Sequence, residues 1–343
     1  MNSRQCDSPD KLDLDCLVDP CGEESTTNRR SFLRTAGVAS VAGAATGGAG
    51  CTETAAATDM PRAAAGPPLP TIEFGKYRIS RLIAGANPIY GYSHFNSLFS
   101  AHMREYHTTG RVVSFLQQLE RAGLSTWQAS WSERLETDWK TYQDAGGTLQ
   151  LLLLSKPTFN DDPALLKRAV ERLRPLGVAQ HGSMTKRLWD AGEMDKSLDY
   201  LKQVRDSGVM VGLSGHNPLE IEYAEEKGWD VDYYMTCIYE MNRTTDELVK
   251  LLGQRPLGEV YLPSDPPRMF RTIRQTSKPC LAYKALAAGR LAGSPEQIGA
   301  QLAMVYGGIK PGDALILGMY QRYEDQVGGN AAMVRRILTQ AAS

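Results

Sequence analysis

Two lysines and two histidines stand at the ends of apolar runs: Lys156 in "LLSKP", His181 in "QHGS", His216 in "VGLSGHNP" and Lys284 in "PCLAYKALAAGRL". Lysine is almost never buried unless it is paired or working, so Lys284, set among apolar neighbours, marks a position with a task. Lysines beside histidines suit proton transfer or the polarisation of a carbonyl, because burial and neighbouring charge tune both groups. Other apolar runs end in residues of similar character: Asn87; Gln128 and Ser130 followed by Trp131; Ser214; Tyr239; Tyr283; and Met319 with Tyr320. Any one of these reads equally well as a helix cap or a turn residue, whereas the set reads as a site.

The remaining histidines, His94, His102 and His107, follow the first of these runs. Their spacing would align them only loosely on one helical face and matches no strong metal motif, so no metal is assigned. Cys6, Cys16 and Cys21 have no histidine nearby to complete a zinc set.

Residues that end separate runs meet only if the runs are parallel strands opening on one face. The apolar runs at 80–85, 124–130, 148–155, 177–181, 209–214, 231–237, 279–284 and 313–319 alternate with amphipathic helical stretches, several closed by glycine. Eight such βα units over about 260 residues predict an α/β chain folded as a (β/α)8 TIM barrel, with the polar residues at its C-terminal mouth. A doubly wound sheet would show a Gly-x-Gly-x-x-Gly turn after its first strand, and "GANPIYGY" does not supply one. The long connections 86–108 and 238–266 leave that same face and are expected to set specificity.

The chain of 343 residues is 42% hydrophobic and 22% charged with a net charge of -1, which gives no electrostatic reason to expect nucleic acid or an anionic membrane as partner. Residues 1–51 read as a leader: "NRRSFLRTAGVASVAGAATGGAGC" resembles a twin-arginine (Tat) signal, with Arg29 and Arg30 ahead of an apolar run too short and glycine-rich to span a membrane. The resemblance implies passage through the Tat export machinery to the periplasm or cell envelope. Cys51 is a candidate for lipid attachment, and cleavage near the alanines at 55–57 or 63–65 is equally compatible. Residues 52–70, rich in Ala, Thr and Pro, read as a flexible linker, and 71–343 as a single barrel domain with no transmembrane segment. Beyond the leader only Cys237 and Cys280 remain, so the domain is no disulfide scaffold.

The order of these features resembles the aldo-keto reductases over roughly residues 75 to 340. Lys156, His181 and Ser214 close strands 3, 4 and 5, "LAYKALAAGRL" stands where that family carries a Tyr-Ser-Pro-Leu-like segment, and "LILGMYQRYEDQVGGN" is similar to its last strand and nucleotide-binding helix. The resemblance implies an NAD(P)-linked oxidoreductase acting on a carbonyl or sugar-derived small molecule. Lys156 and His181 would then be the catalytic lysine and histidine, Tyr283 the ring stacked on nicotinamide, Ser214 a carboxamide contact, and Gly318 and Arg322 part of the dinucleotide seat. Gln128 stands where the family has its catalytic Asp, and "WSERLETDW" lacks its Tyr; Tyr90 or Tyr92 on the first long connection is the substitute donor to test. Asn87, His94, Trp131 and His216 complete the mouth as substrate contacts. Two alternatives stand beside this reading: a cofactor-independent carbohydrate lyase, epimerase or isomerase, with or without a metal, using His181, His216 and the lysines; and a catalytically inactive barrel that binds a ligand. The direction of Lys284 separates them, since facing the mouth it would crowd a nicotinamide and facing an outer helix it would be structural.

Overall fold

The computed structural model describes residues 68–159 and 162–340, so the leader and most of the linker lie outside the described residues. A hairpin of β1 (Thr71–Phe74) and β2 (Tyr77–Ser80) leads into eight parallel strands: β3 (Leu82–Gly85), β4 (Thr126–Ser130), β5 (Gln150–Leu154), β6 (Gly177–Gln180), β7 (Met210–Gly215), β8 (Tyr233–Cys237), β9 (Cys280–Tyr283) and β10 (Ala314–Gly318). These eight form a closed ring in which β10 pairs back onto β3, a (β/α)8 barrel. Seven of the eight apolar runs contain one barrel strand each, and the run at 209–214 overlaps β7, which continues one residue further to Gly215.

Alternation along the strands splits the core in two. Ile83, Leu152, Ala179, Tyr233, Leu281 and Ile316 point into the ring and pack with Phe74 and Ile79 of the hairpin, whose Phe74 ring lies 5.0 Å from that of Tyr233. Leu82, Ala84, Leu151, Leu153, Val178, Ala282, Leu315 and Leu317 point outward into the larger core beneath the helices. The hairpin thus stoppers the N-terminal end of the ring, and the polar residues are left the opposite end. Leu69, assigned to the linker by composition, is only 3% exposed and belongs to the outer core, so the folded part begins slightly before Thr71.

After β3 come α1 (Asn87–Tyr90), α2 (Ser97–Tyr106) and α3 (Thr109–Arg121), and after β4 comes α4 (Glu133–Asp144). The next stretch holds α5 (Pro163–Leu173), α6 (Gly182–Asp190), α7 (Ser197–Asp206) and α8 (Pro218–Glu226). The last four are α9 (Thr245–Leu252), α10 (Asp265–Gln275), α11 (Pro295–Gly308) and α12 (Gln326–Gln340). Four of these, α1, α2, α6 and α9, lie in connections that the periodicity of the sequence leaves without a helix. In α2 and α9 little is buried: Met103 is the one buried residue of α2 and α9 has none, so neither is held by a core face. They are defined instead by their ends, Asn96 accepting from the Phe99 amide before α2, and a reciprocal Thr244–Glu247 capping box with Gly253 closing α9. No helix among the described residues is long and apolar enough to cross a membrane.

Candidate active site

β9 ends at Tyr283, and the next residue, Lys284, takes a left-handed backbone with φ 69°. Tyr283 points into the ring, its hydroxyl 3.2 Å from Ser214 Oγ. A continued strand would aim Lys284 outward. The left-handed turn instead brings its ammonium beneath the second long connection, 3.4 Å from Tyr261 Oη and 4.0 Å from Glu259 Oε2, with the side chain only 11% exposed. A non-glycine residue held there costs of order 1 kcal/mol, and such strain gathers at functional sites.

His94 shares that unusual backbone, with φ 53°, and meets the same carboxylate from the other long connection. Its Nδ1 lies 2.7 Å from Glu259 Oε1, and Asn87 Nδ2 lies 3.3 Å from its Nε2. A carboxylate only accepts, so Nδ1 carries the proton, and in the neutral ring Nε2 is left as an acceptor facing an amide N–H. Partial burial works against ionisation of Glu259, but its hydrogen bond to His94, the Lys284 charge and the Tyr261 hydroxyl hold it down to about 2. The Glu259–His94 pair is therefore a carboxylate-oriented imidazole of the kind that serves as a general base. Arg290 ties the same loops together, donating to the His94 carbonyl at 3.2 Å and stacking 4.7 Å from the Tyr261 ring.

His181 caps α6: its Nδ1 accepts from the Ser183 amide at 3.1 Å, while its own amide donates to Ser155 Oγ. With Nδ1 used as an acceptor, the neutral ring carries its proton on Nε2. Burial, then the charges of His94 and Lys156, lower its pKa to about 4, so at neutral pH it is an uncharged hydrogen-bond donor. His216 is pushed lower still, to about 3, by burial and by Lys284, His181 and His94, with Glu259 opposing. These mutual effects place His94, His181, His216, Lys156, Lys284 and Glu259 around one mouth. Among the described residues no group of three or more His, Cys, Asp or Glu is arranged to hold a metal ion.

Two supports fix His216. A Cβ added at Gly182 would come within 2.4 Å of its Cε1 and 2.6 Å of its Nδ1, so the imidazole lies flat against bare backbone. Gly182→Ala is expected to destabilise the fold by about 1–3 kcal/mol and to displace the ring, measured as a lowered Tm together with a shifted His216 imidazole resonance. The second support is Glu220, fully buried on α8, whose Oε2 accepts from the His216 and Asn217 amides at 2.8 and 3.1 Å. Burial raises its pKa from 4.5 to about 7 against the pull of those hydrogen bonds and of Asn242. A raised carboxyl favours the folded state most below its unfolded pKa, and the advantage disappears as pH rises through about 7. Thermal melts of Glu220→Gln against wild type between pH 4.5 and 8 are expected to lose a pH-dependent contribution of up to about 3 kcal/mol.

Lys156 stands with its ammonium 5.6 Å from the centre of the Trp131 ring, which in turn donates from Nε1 to Glu136 and packs on Phe159. Gln128 is buried in the middle of β4 and not at its end. Tyr92 is 43% exposed and does not join the cluster; neither does Tyr90, whose hydroxyl turns to the buried Asp138 of α4 at 3.3 Å. Of the three clustered histidines in the first connection only His94 reaches the mouth. His102 stacks on Tyr323, and His107 is buried at the end of α2 with Nδ1 on the Met103 carbonyl. Glu259, Tyr261 and Arg290 are the site residues that sequence reasoning missed; the length of connection 238–266 was the one available signal for the first two.

The residues expected to seat a dinucleotide do not fit one as they stand. The first amides of α12, which an anionic phosphate would need, already donate to the chain's own side chains: Gln326 and Val327 to Gln321 Oε1, and Gly328 to Asp325 Oδ1 at 2.8 Å. Arg322 is stacked over the rings of Tyr106 and Tyr323 beside His102, and a side chain added at Gly318 would meet Pro88 at 3.1 Å. Ser214 and Tyr283 hydrogen-bond to each other.

No family model matches the chain, and no curated protein matches it. Solved structures of similar shape include a truncated 3-deoxy-D-arabino-heptulosonate 7-phosphate synthase from Thermotoga maritima at 12% identity and TM-score 0.48, covering 80% of this chain and 93% of that one. A glycerol dehydrogenase from Gluconobacter oxydans is similar at 12% identity and TM-score 0.45, over 79% and 95% of the two chains. The tryptophan synthase alpha subunit from Legionella pneumophila follows at 10% and 0.43, over 76% and 92%. The fold rests on the closed ring itself and the chemistry on the residues in its mouth.

Proposed function

We propose that the barrel is an enzyme of proton transfer that needs no dinucleotide: a lyase, epimerase or isomerase acting on a carbonyl-bearing sugar. The observation that carries this reading is Lys284, turned by its left-handed backbone into the mouth beside Glu259, where its ammonium is placed to stabilise a developing oxyanion. His94 Nε2, oriented through Glu259 and released from Asn87 as the substrate enters, takes the proton from the carbon next to the carbonyl. The electron pair of that C–H bond moves into the C–C bond as the carbonyl becomes an enolate oxygen. His181 Nε2–H and the Lys284 ammonium stabilise that oxygen, the first as a neutral donor and the second as a charge in a site partly shielded from water. Return of the proton to the other face or to the neighbouring carbon gives an epimer or isomer, and departure of a β-substituent gives the unsaturated product of a lyase.

The NAD(P)-linked oxidoreductase reading is favoured by the order of Lys156, His181, Ser214 and Tyr283 on successive strands, and the two separate on binding. Titration with NADH or NADPH to millimolar concentration, followed by tryptophan fluorescence, is expected to give no saturable change; saturable binding of either would favour the reductase over the proton-transfer enzyme. Export through the twin-arginine machinery to the periplasm or cell envelope, with or without lipid on Cys51, is part of the same proposal. It rests on Arg29, Arg30 and the apolar run after them.

A further inference from the structure

The charges in the mouth do not balance. Lys156, Lys284 and Arg290 bring three cations to it, and of these Glu259 forms an ion pair with Lys284, while Lys156 lies over Trp131 and Arg290 donates to the His94 carbonyl. Glu259 is already committed to His94, to the Tyr261 hydroxyl and to Lys284. His181 and His216 are neutral above about pH 4 and 3 and contribute no counter-charge or relief. Lys156 is half-buried, and among the described residues no carboxylate lies within ion-pair distance of it. A partly desolvated ammonium without a counter-ion is unfavourable, and the imbalance is relieved when an anion enters.

The surroundings of Lys156 say where the rest of that anion would lie. Trp131 is fixed from behind by its Nε1–H bond to Glu136 at 3.0 Å and by Phe159 at 5.4 Å between ring centres, so its face is a rigid apolar platform. An apolar face beneath a cation suits a pyranose ring stacked by its C–H bonds and carrying a negative group at its edge.

We infer that the substrate of this site is an anionic sugar, with its carboxylate or phosphate docked on Lys156 and its ring on Trp131. The inference rests on the proton-transfer reading for the reaction but not for the binding. Wild-type protein is titrated by calorimetry with D-glucuronate, its neutral methyl ester and D-glucose 6-phosphate, and the series is repeated with Lys156→Met after its Tm has been matched to wild type. Lys156→Arg, which keeps the charge, is the second variant. At least one anion is expected to bind about tenfold or more tighter than the ester. The preference should vanish in Lys156→Met, with ester affinity retained, and survive in Lys156→Arg. Which anion wins distinguishes a sugar acid from a sugar phosphate. Equal affinities, no measurable binding of either anion, or a preference that persists in Lys156→Met overturns the inference. Proton exchange on a neutral keto-sugar without anion preference removes this inference alone; anion preference without proton exchange removes the proposed reaction alone.

Discussion

His94→Asn turns over a keto-sugar about 10²–10⁴-fold more slowly than the wild-type chain, with kcat falling and KM nearly unchanged. Asparagine is the informative replacement because it tolerates the left-handed backbone that His94 adopts at φ 53°. It removes the proton acceptor without forcing the loop to move. A role for His94 in holding the loops together predicts a different pattern, in which Tm falls and KM rises. Glu259→Gln separates the two further: the amide can still hydrogen-bond to Nδ1, but it no longer supplies the negative charge beside the imidazole. Rate is expected to fall while the Tyr261 and His94 contacts keep the loop in place.

Lys284→Met removes about 10²–10³ in kcat while the barrel stays folded, measured as initial rates beside a thermal melt. Lysine here occupies a position where its backbone is strained and its side chain is only 11% exposed, a combination that stability alone does not favour. Lys284→Gly supports the same argument from the other side. Glycine takes φ 69° without strain, so this variant should melt no lower than Lys284→Met and be equally slow. A structural lysine would reverse both results, since losing it would lower Tm and leave rate intact in whatever protein remained folded.

The barrel was legible because its evidence is local. Short apolar runs at regular spacing, helices closed by glycine and the absence of a glycine-rich first turn need no knowledge of long-range contacts. Lys156, His181, His216 and Lys284 were legible for the same reason, as polar residues at strand ends. What the sequence did not carry is the geometry of the two long connections. His94, His102 and His107 look alike in sequence, and only the capped turn before α2 turns His94 to the mouth and the other two away. Glu259, between a glycine and a valine in a segment without regular structure, has no spacing to announce it. Lys284 is the sharpest case. Strand alternation predicts that it opposes Tyr283, and a single backbone angle at the end of β9 reverses that.

The likeness to aldo-keto reductases follows the strand ends, and the departures follow the loops. Lys156, His181, Ser214 and Tyr283 stand in the order the resemblance implies, yet Asp325 and Gln321 occupy the amides of α12, and Arg322 is spent on an aromatic stack. A barrel holds its strands fixed while its loops change the chemistry. Here the loops after β3 and β8 deliver His94 and Glu259 to a mouth that already holds His181 and two ammonium groups.

The central claim is that this mouth moves a proton and not a hydride. Its most direct test is proton NMR of a keto-sugar, including a keto-sugar acid, incubated with the protein in D₂O without nucleotide. The account predicts that deuterium replaces hydrogen at the carbon next to the carbonyl, and that His94→Asn abolishes the exchange. No exchange, combined with transfer of deuterium from labelled NADH or NADPH to the carbonyl carbon, would contradict it.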